Sequence, residues 1–162
     1  MEPSAICNWF LRTSGIPDEK GRVENYPNRI EAEAMALKGY IVMDVTPWEN
    51  ASGGKGIECM KTTACSASIR FDRAAGVYEL DVQYFDQNNG ESKFSIFVSN
   101  RRVDEWVAND HLPAIKPGGD SSTRRRISGL ALQPGDEIRI EGIPNGQEHS
   151  PLDYIEFHSA TE

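Results

Sequence analysis

The stretch "GVYELDVQYFD", residues 76–86, constrains the fold more than any other part of the chain. Apolar and polar side chains alternate along it, and the apolar set is Tyr78, Leu80, Val82 and Tyr84. Successive side chains of a β-strand point to opposite faces, so this alternation predicts a strand with one buried face.

Shorter segments of the same kind recur along the chain, among them "GYIVMDV", "CSASIRFD", "KFSIFVSN", "RVDEW", "GLALQPGDEIRIEG" and "LDYIEFH". Glycine and proline residues separate them, and Asn89-Gly90 after the first strand predicts a β-hairpin. The segment "IEAEAMALKG" contains good helix formers, and we interpret it as a strand that runs into one helical turn. The pattern predicts an all-β protein, an antiparallel β-sandwich or jelly roll.

The length of 162 residues and the 38% of hydrophobic residues predict one folded domain. We assign residues 28–160 to it and residues 1–27 to an N-terminal arm or linker. The net charge of −8 argues against nucleic acid as a partner, and no apolar run is long enough to span a membrane. No secretory signal is visible at the N-terminus, and we expect an excised module of a larger protein.

The three cysteines, Cys7, Cys59 and Cys65, form no CxxC pair, so a zinc site is not predicted. Cys59 and Cys65 flank "MKTTA" and are near enough in sequence to bridge across a tight turn. Buried free thiols are an equally good interpretation, because the cysteine count is odd.

The stretch "RIEAEA", residues 29–34, places Glu31 and Glu33 one residue apart. Two like charges on one strand face repel each other, unless they share a cation or face open water. They are too close to act as the acid and the nucleophile of a glycosidase. The three histidines lie in no metal or nucleophile motif, and we predict that the chain is not an enzyme.

In "RIEAEA", "ASGGKGIE", "GVYELDVQYFD", "FVSNRRVDEW" and "LDYIEF", the sequence resembles the β-sandwich carbohydrate-binding modules of families 6 and 35 over about residues 28–160. The resemblance implies a module that binds a plant or algal polysaccharide and targets an attached glycoside hydrolase to it. Its expected partners are a polysaccharide or oligosaccharide and the attached catalytic domain. Its expected location is secreted, periplasmic or at the cell surface.

The resemblance also implies two sites. A structural calcium would be held by Glu31, Glu33 and Asp153, and oxygen ligands of this kind suit calcium. A sugar would be bound at one end of the sandwich by Trp48, Trp106 and Asn145, because a pyranose needs a flat aromatic surface and polar groups at its edge.

Other interpretations stay open for each of these residues. The two glutamates can be a solvated strand face, either tryptophan can be a core residue, and Asn145-Gly146 can be an ordinary turn. Five arginines, at positions 101, 102 and 124–126, would suit an anionic glycan if they met at one edge. As alternatives to a binding module, we consider a structural domain of a glycoside hydrolase without glycan affinity and a small polysaccharide-active enzyme.

Overall fold

The computed structural model describes residues 28–45, 54–61 and 63–160. These residues form two antiparallel sheets, which confirms the predicted all-β sandwich. The strands are β1 (Arg29–Glu31), β2 (Ala36–Lys38), β3 (Tyr40–Asp44), β4 (Lys55–Cys59), β5 (Cys65–Arg70), β6 (Gly76–Phe85), β7 (Lys93–Val98), β8 (Arg101–Val107), β9 (Ser122–Leu132), β10 (Glu137–Ile143) and β11 (Leu152–Ser159). Among the described residues, no helix has the length and apolar character needed to cross a bilayer.

The two sheets differ in strand order. The six-stranded sheet has the order β3-β4-β11-β6-β9, and β1 also pairs with β11. The five-stranded sheet has the order β2-β5-β10-β7-β8. The first and last strands of the described fold therefore lie side by side, and Glu31 is opposite Tyr154.

The core lies between the sheets and is built by the predicted alternation. The apolar face of β6 is buried, with no more than 7% of any of its four side chains exposed. Aromatic rings pack edge to face at one end of the core, where the centroids of Phe71 and Tyr78 are 4.9 Å apart. A second group of rings, Tyr84, Phe94 and Trp106, fills the other end, with centroid distances of 5.1–5.6 Å. Burial of each such side chain contributes roughly 2 kcal/mol.

The segment that begins the described fold is a strand followed by a single turn, as predicted. β1 ends at Glu31, and Ala32–Ala34 form one turn of 3-10 helix before β2 begins. The Met35 N–H closes the turn by donating to the Ala32 carbonyl at 3.1 Å. Glu33 therefore lies on the turn and not on the strand, which corrects the view that both glutamates share one strand face.

The predicted hairpin at Asn89-Gly90 is wrong. β6 and β7 belong to different sheets, so residues 86–92 carry the chain across the sandwich. Gly90 has a different role, because a Cβ atom there would collide with the backbone oxygen of Asn145. The glycine lets two loops approach closely, and a local turn signal does not reveal that kind of contact.

A disulfide joins Cys59 at the end of β4 to Cys65 at the start of β5. The two strands belong to different sheets, so the bond links the two layers of the sandwich. Both cysteines are buried, with 0% and 1% exposed. This resolves the alternatives left by the sequence in favour of a bridge.

We expect the double variant Cys59→Ala/Cys65→Ala to be less stable by about 2 kcal/mol, because opening a short loop returns entropy to the unfolded chain. Urea unfolding monitored by tryptophan fluorescence measures the difference, with Cys7→Ala as the control that removes a cysteine outside this bridge. An unchanged unfolding midpoint in the double variant would contradict a structural role for the bridge.

Candidate functional site at the loop end of the sandwich

Three loops meet at one end of the sandwich: residues 86–92, 108–121 and 144–150. They follow β6, β8 and β10, and backbone hydrogen bonds tie them together. The Gln147 N–H donates to the Asn89 carbonyl at 3.0 Å, and the Asn88 N–H donates to the Ala114 carbonyl at 2.9 Å. The loops thus form one surface at this end of the sandwich. The surface includes Asn145, one of the predicted sugar contacts.

Glu148 is a fully buried carboxylate that organises this surface. Its side chain accepts the N–H of Gln87 at 2.5 Å and the N–H of Ser92 at 2.7 Å. Burial raises the pKa of Glu148, and the hydrogen bonds from Ser92 and Gln87 oppose that rise. A buried acceptor with two backbone donors fixes the path of the 86–92 loop.

Asp86 performs the same task for the long loop that follows β8. It is also fully buried, and its two oxygens accept the N–H groups of Asp110 at 3.1 Å and His111 at 3.3 Å. Burial raises the pKa of Asp86. Sequence reasoning missed both acids, because an isolated acid in a polar loop gives no signal that it is buried.

Asn145, one of the predicted sugar contacts, is exposed at the tip of the 144–150 loop. Its side-chain oxygen accepts the Glu91 N–H at 2.9 Å, and its backbone pairs with Glu148. The tip is therefore held in place while the side chain faces solvent. A rigid, exposed amide of this kind suits hydrogen bonding to a sugar hydroxyl.

Trp106, the second predicted contact, lies mostly in the core. Only 8% of the residue is exposed, and its ring stacks on Phe94 with a centroid distance of 5.4 Å. The Arg125 guanidinium lies 5.1 Å from the Trp106 ring centroid and donates two hydrogen bonds to Asp104 at 2.9 and 3.0 Å. Of the two interpretations open from the sequence, core packing describes the observed ring. Trp48, the third predicted contact, lies outside the described residues.

The predicted calcium ligands lie where β1 meets β11. Glu31 and Glu33 are half-buried, and Asp153 is fully buried at a bulge in β11, directly before the partner of Glu31. Burial raises the pKa of Glu33 to about 7, and the charge of Glu31 acts in the same direction. The Oε1 atom of Glu33 is buried and accepts no hydrogen bond among the described residues. An acceptor atom in that state beside a second carboxylate fits a cation site.

A different group brings its potential ligand atoms closer together. In the described part of the chain, Asp81, Glu156 and His158 are the three residues whose ligand atoms lie within 4.8 Å of one another. Asp81 is already neutralised, because Arg126 donates to both of its oxygens at 2.8 and 3.0 Å. This group is therefore best described as an ion-pair network on the sheet surface. Glu31, Glu33 and Asp153 are less compact and would have to move closer around an ion.

The five arginines do not converge on one edge. Arg101 and Arg102 lie on β8 of the five-stranded sheet, whereas positions 124–126 lie within β9 of the other sheet. Arg124 and Arg126 face Asp81, and Arg125 is bound by Asp104. The arrangement supplies no cluster of free guanidinium groups for an anionic glycan.

The fold is shared with solved carbohydrate-binding modules. A family 35 module from Clostridium thermocellum superposes with a TM-score of 0.59 at 18% identity, over 82% of this chain and 98% of that one. A family 36 module in complex with calcium and xylotriose gives a TM-score of 0.52 at 18% identity, over 80% of this chain and 98% of that one. The chain therefore has the β-sandwich fold of these modules, which confirms the expected resemblance at the level of the fold.

A longer sequence relative contains a region that matches this chain. Probable alpha-glucuronidase A of Aspergillus flavus is 38% identical over 157 residues, which cover 93% of this chain and 19% of the relative. The chain thus spans about a fifth of the length of the relative. No family model matches the chain.

The burial of Trp106 predicts a large loss of stability on truncation. We expect Trp106→Ala to lower the free energy of unfolding by about 3–5 kcal/mol, because it leaves a cavity between Phe94 and Tyr84. Urea unfolding measures this loss. Val107→Ala, at the exposed neighbouring position, is the control and is expected to stay within about 0.5 kcal/mol. A Trp106→Ala protein as stable as the control would show that the ring is a surface platform.

Proposed function

We propose that this chain is a non-catalytic carbohydrate-binding module that holds an attached glycoside hydrolase near a plant polysaccharide. The observation that carries the proposal is its match to one fifth of an alpha-glucuronidase, combined with a fold that small binding modules share over nearly their whole length. The name of the relative and the xylotriose in the family 36 complex suggest a xylan that carries glucuronic acid as the ligand to test first.

The two buried acids of the loop end do not form the carboxyl pair of a glycosidase. A glycosidase needs two carboxyl groups that reach the scissile bond from opposite sides. Asp86 and Glu148 are the buried acids at this end, and the carboxylates of both accept loop backbone N–H groups. Since both are fully buried, neither reaches a bound sugar. We propose that Asn145 contacts the glycan there, together with Trp48 and the small exposed part of Trp106.

We further propose that Glu31, Glu33 and Asp153 hold a structural calcium ion. When bound, calcium neutralises the like charges and links the β1–β11 junction through oxygen ligands. The buried Oε1 of Glu33 supports this assignment. The calcium in the family 36 complex supports it only by analogy of fold.

The burial of Trp106 favours a second candidate function. A module whose ring faces the core offers less aromatic surface to a sugar, which suits a structural domain of the same glycoside hydrolase without its own glycan affinity. For either role we propose a secreted location, because the buried disulfide is typical of oxidising compartments.

Glycan binding separates the two candidates. We expect the chain to be retarded in affinity gels that contain glucuronoxylan, and Asn145→Asp to weaken binding about fivefold, the effect of one lost hydrogen bond. The substitution keeps the oxygen that accepts the Glu91 N–H and removes the amide donor. Gln133→Ala, at the opposite end of the sandwich, is the control. No retardation by any glycan of a plant panel would favour the structural domain.

Calcium is expected to raise the melting temperature of the wild-type chain and to have little effect on Glu33→Gln. Without calcium, the raised pKa of Glu33 means that the folded chain binds a proton more tightly than the unfolded chain does. The Glu33 carboxyl group therefore stabilises the fold fully below about pH 4.5, and this stabilisation is lost as the pH rises through about 7.

Thermal melts at pH 5 and pH 8, with calcium or with chelator, test both expectations. The fall in melting temperature between the two pH values should be smaller in Glu33→Gln than in wild type. Glu156→Gln is the matched control from the other acidic group. A calcium effect that survives in Glu33→Gln but is lost in Glu156→Gln would move the ion to the Asp81 group.

A further inference from the structure

Among the described residues, the strand orders of the two sheets end at four edge strands: β3 and β9 in one sheet, β2 and β8 in the other. β1 pairs with β11 alone, and two of its three residues, "RIE", are charged. An edge strand presents unpaired backbone N–H and C=O groups that attract other strands. Natural proteins protect such edges with charges, bulges or short length.

Three of the edges are protected. β8 carries four charged residues in its "RRVDEW" segment, and its pairing with β7 is interrupted by a register shift. β9 carries the arginines at 124–126, and its pairing with β6 is also interrupted. β2 has three residues and ends at Lys38.

β3 has none of these protections. Its sequence is "YIVMD", and it pairs with β4 over five consecutive residues without interruption. Ile41 is 49% exposed and Val42 is 47% exposed. The single charge of the strand, Asp44, is bound by Lys55 at 2.6 Å. Met60, which follows β4 directly, is 56% exposed.

We propose that β3 is covered, in the intact protein, by an extended segment of the longer polypeptide to which this chain belongs. The segment adds a strand to the six-stranded sheet and places β-branched or aromatic side chains against Ile41 and Val42. The inference rests on the proposed origin of the chain as part of a glycoside hydrolase, whose relative has four-fifths of its length outside the matched region. It does not depend on glycan binding.

The area that one added strand can bury at β3 is small, which favours a segment of the same polypeptide over a separate protein. A strand of five residues is about 17 Å long, so an added strand buries on the order of 200 Å² on each side. A stable complex between separate proteins needs about 800 Å² on each partner, so a second copy of this chain would bind too weakly. A segment of the same polypeptide is present at a high effective concentration and does not need that area.

The charge distribution of β3 also favours an apolar segment of the same polypeptide. The Asp44–Lys55 pair cancels at one end of β3, and the remaining exposed side chains of the strand are apolar. A highly charged occupant would lose hydration at this edge without gaining an ion pair. An apolar, extended segment fits the exposed row of backbone groups best.

Hydrogen exchange measured by mass spectrometry tests the proposal. The peptide that contains residues 40–44 is compared between the full-length glycoside hydrolase and the 162-residue chain. We expect at least about tenfold slower exchange in the full-length enzyme. Val42→Lys should remove that difference. Val77→Lys is the matched control, because Val77 is 45% exposed but lies on β6, between β11 and β9.

Three results would overturn the proposal. Equal exchange in the two proteins would show that nothing in the longer chain covers β3. If exchange of this peptide is already slow in the 162-residue chain and becomes faster on dilution, the partner is a second copy. Slow exchange that is lost on deletion of residues 1–27 would assign the edge to that segment. Failure of glycan binding leaves all three readouts unchanged, so the two proposals fail separately.

Discussion

The burial of Glu33 beside a second carboxylate, Glu31, where β1 meets β11, is the constraint on which the calcium site proposed for this domain depends. β11 pairs with β1, β4 and β6, so it is central to the six-stranded sheet. Burial raises the pKa of Glu33 to about 7, and repulsion from the Glu31 charge adds to that rise. A divalent ion at this point would remove the repulsion and fasten the first described strand to the last.

At the loop end, two buried acids hold neighbouring loops in place. Asp86 and Glu148 are each hydrogen-bonded to backbone N–H groups of neighbouring loops, and the loops in turn fix the position of Asn145. No ion is needed for these acids, because backbone donors compensate for their burial. The acidic side chains at the loop end therefore stabilise the structure through hydrogen bonds with backbone N–H groups.

Most of the strands could be predicted because alternation is a local property of the sequence. The buried faces of β6, β7 and β10 follow directly from it. Sheet partners could not be predicted in the same way: Asn89-Gly90 is a hairpin signal, yet the packing of two layers sends β7 to the other sheet. β4 is not predicted as a strand, because its five residues, "KGIEC", show no clear alternation of buried and exposed positions. The burial of Trp106 could not be predicted, because the sequence does not show whether a ring at the end of a strand points into the core.

Anomalous diffraction from crystals grown with calcium tests the central claim most directly. The proposed calcium site predicts an anomalous difference peak about 2.3–2.6 Å from carboxylate oxygens of Glu31, Glu33 and Asp153. No peak at the β1–β11 junction, or a peak at Asp81, Glu156 and His158 instead, would contradict it.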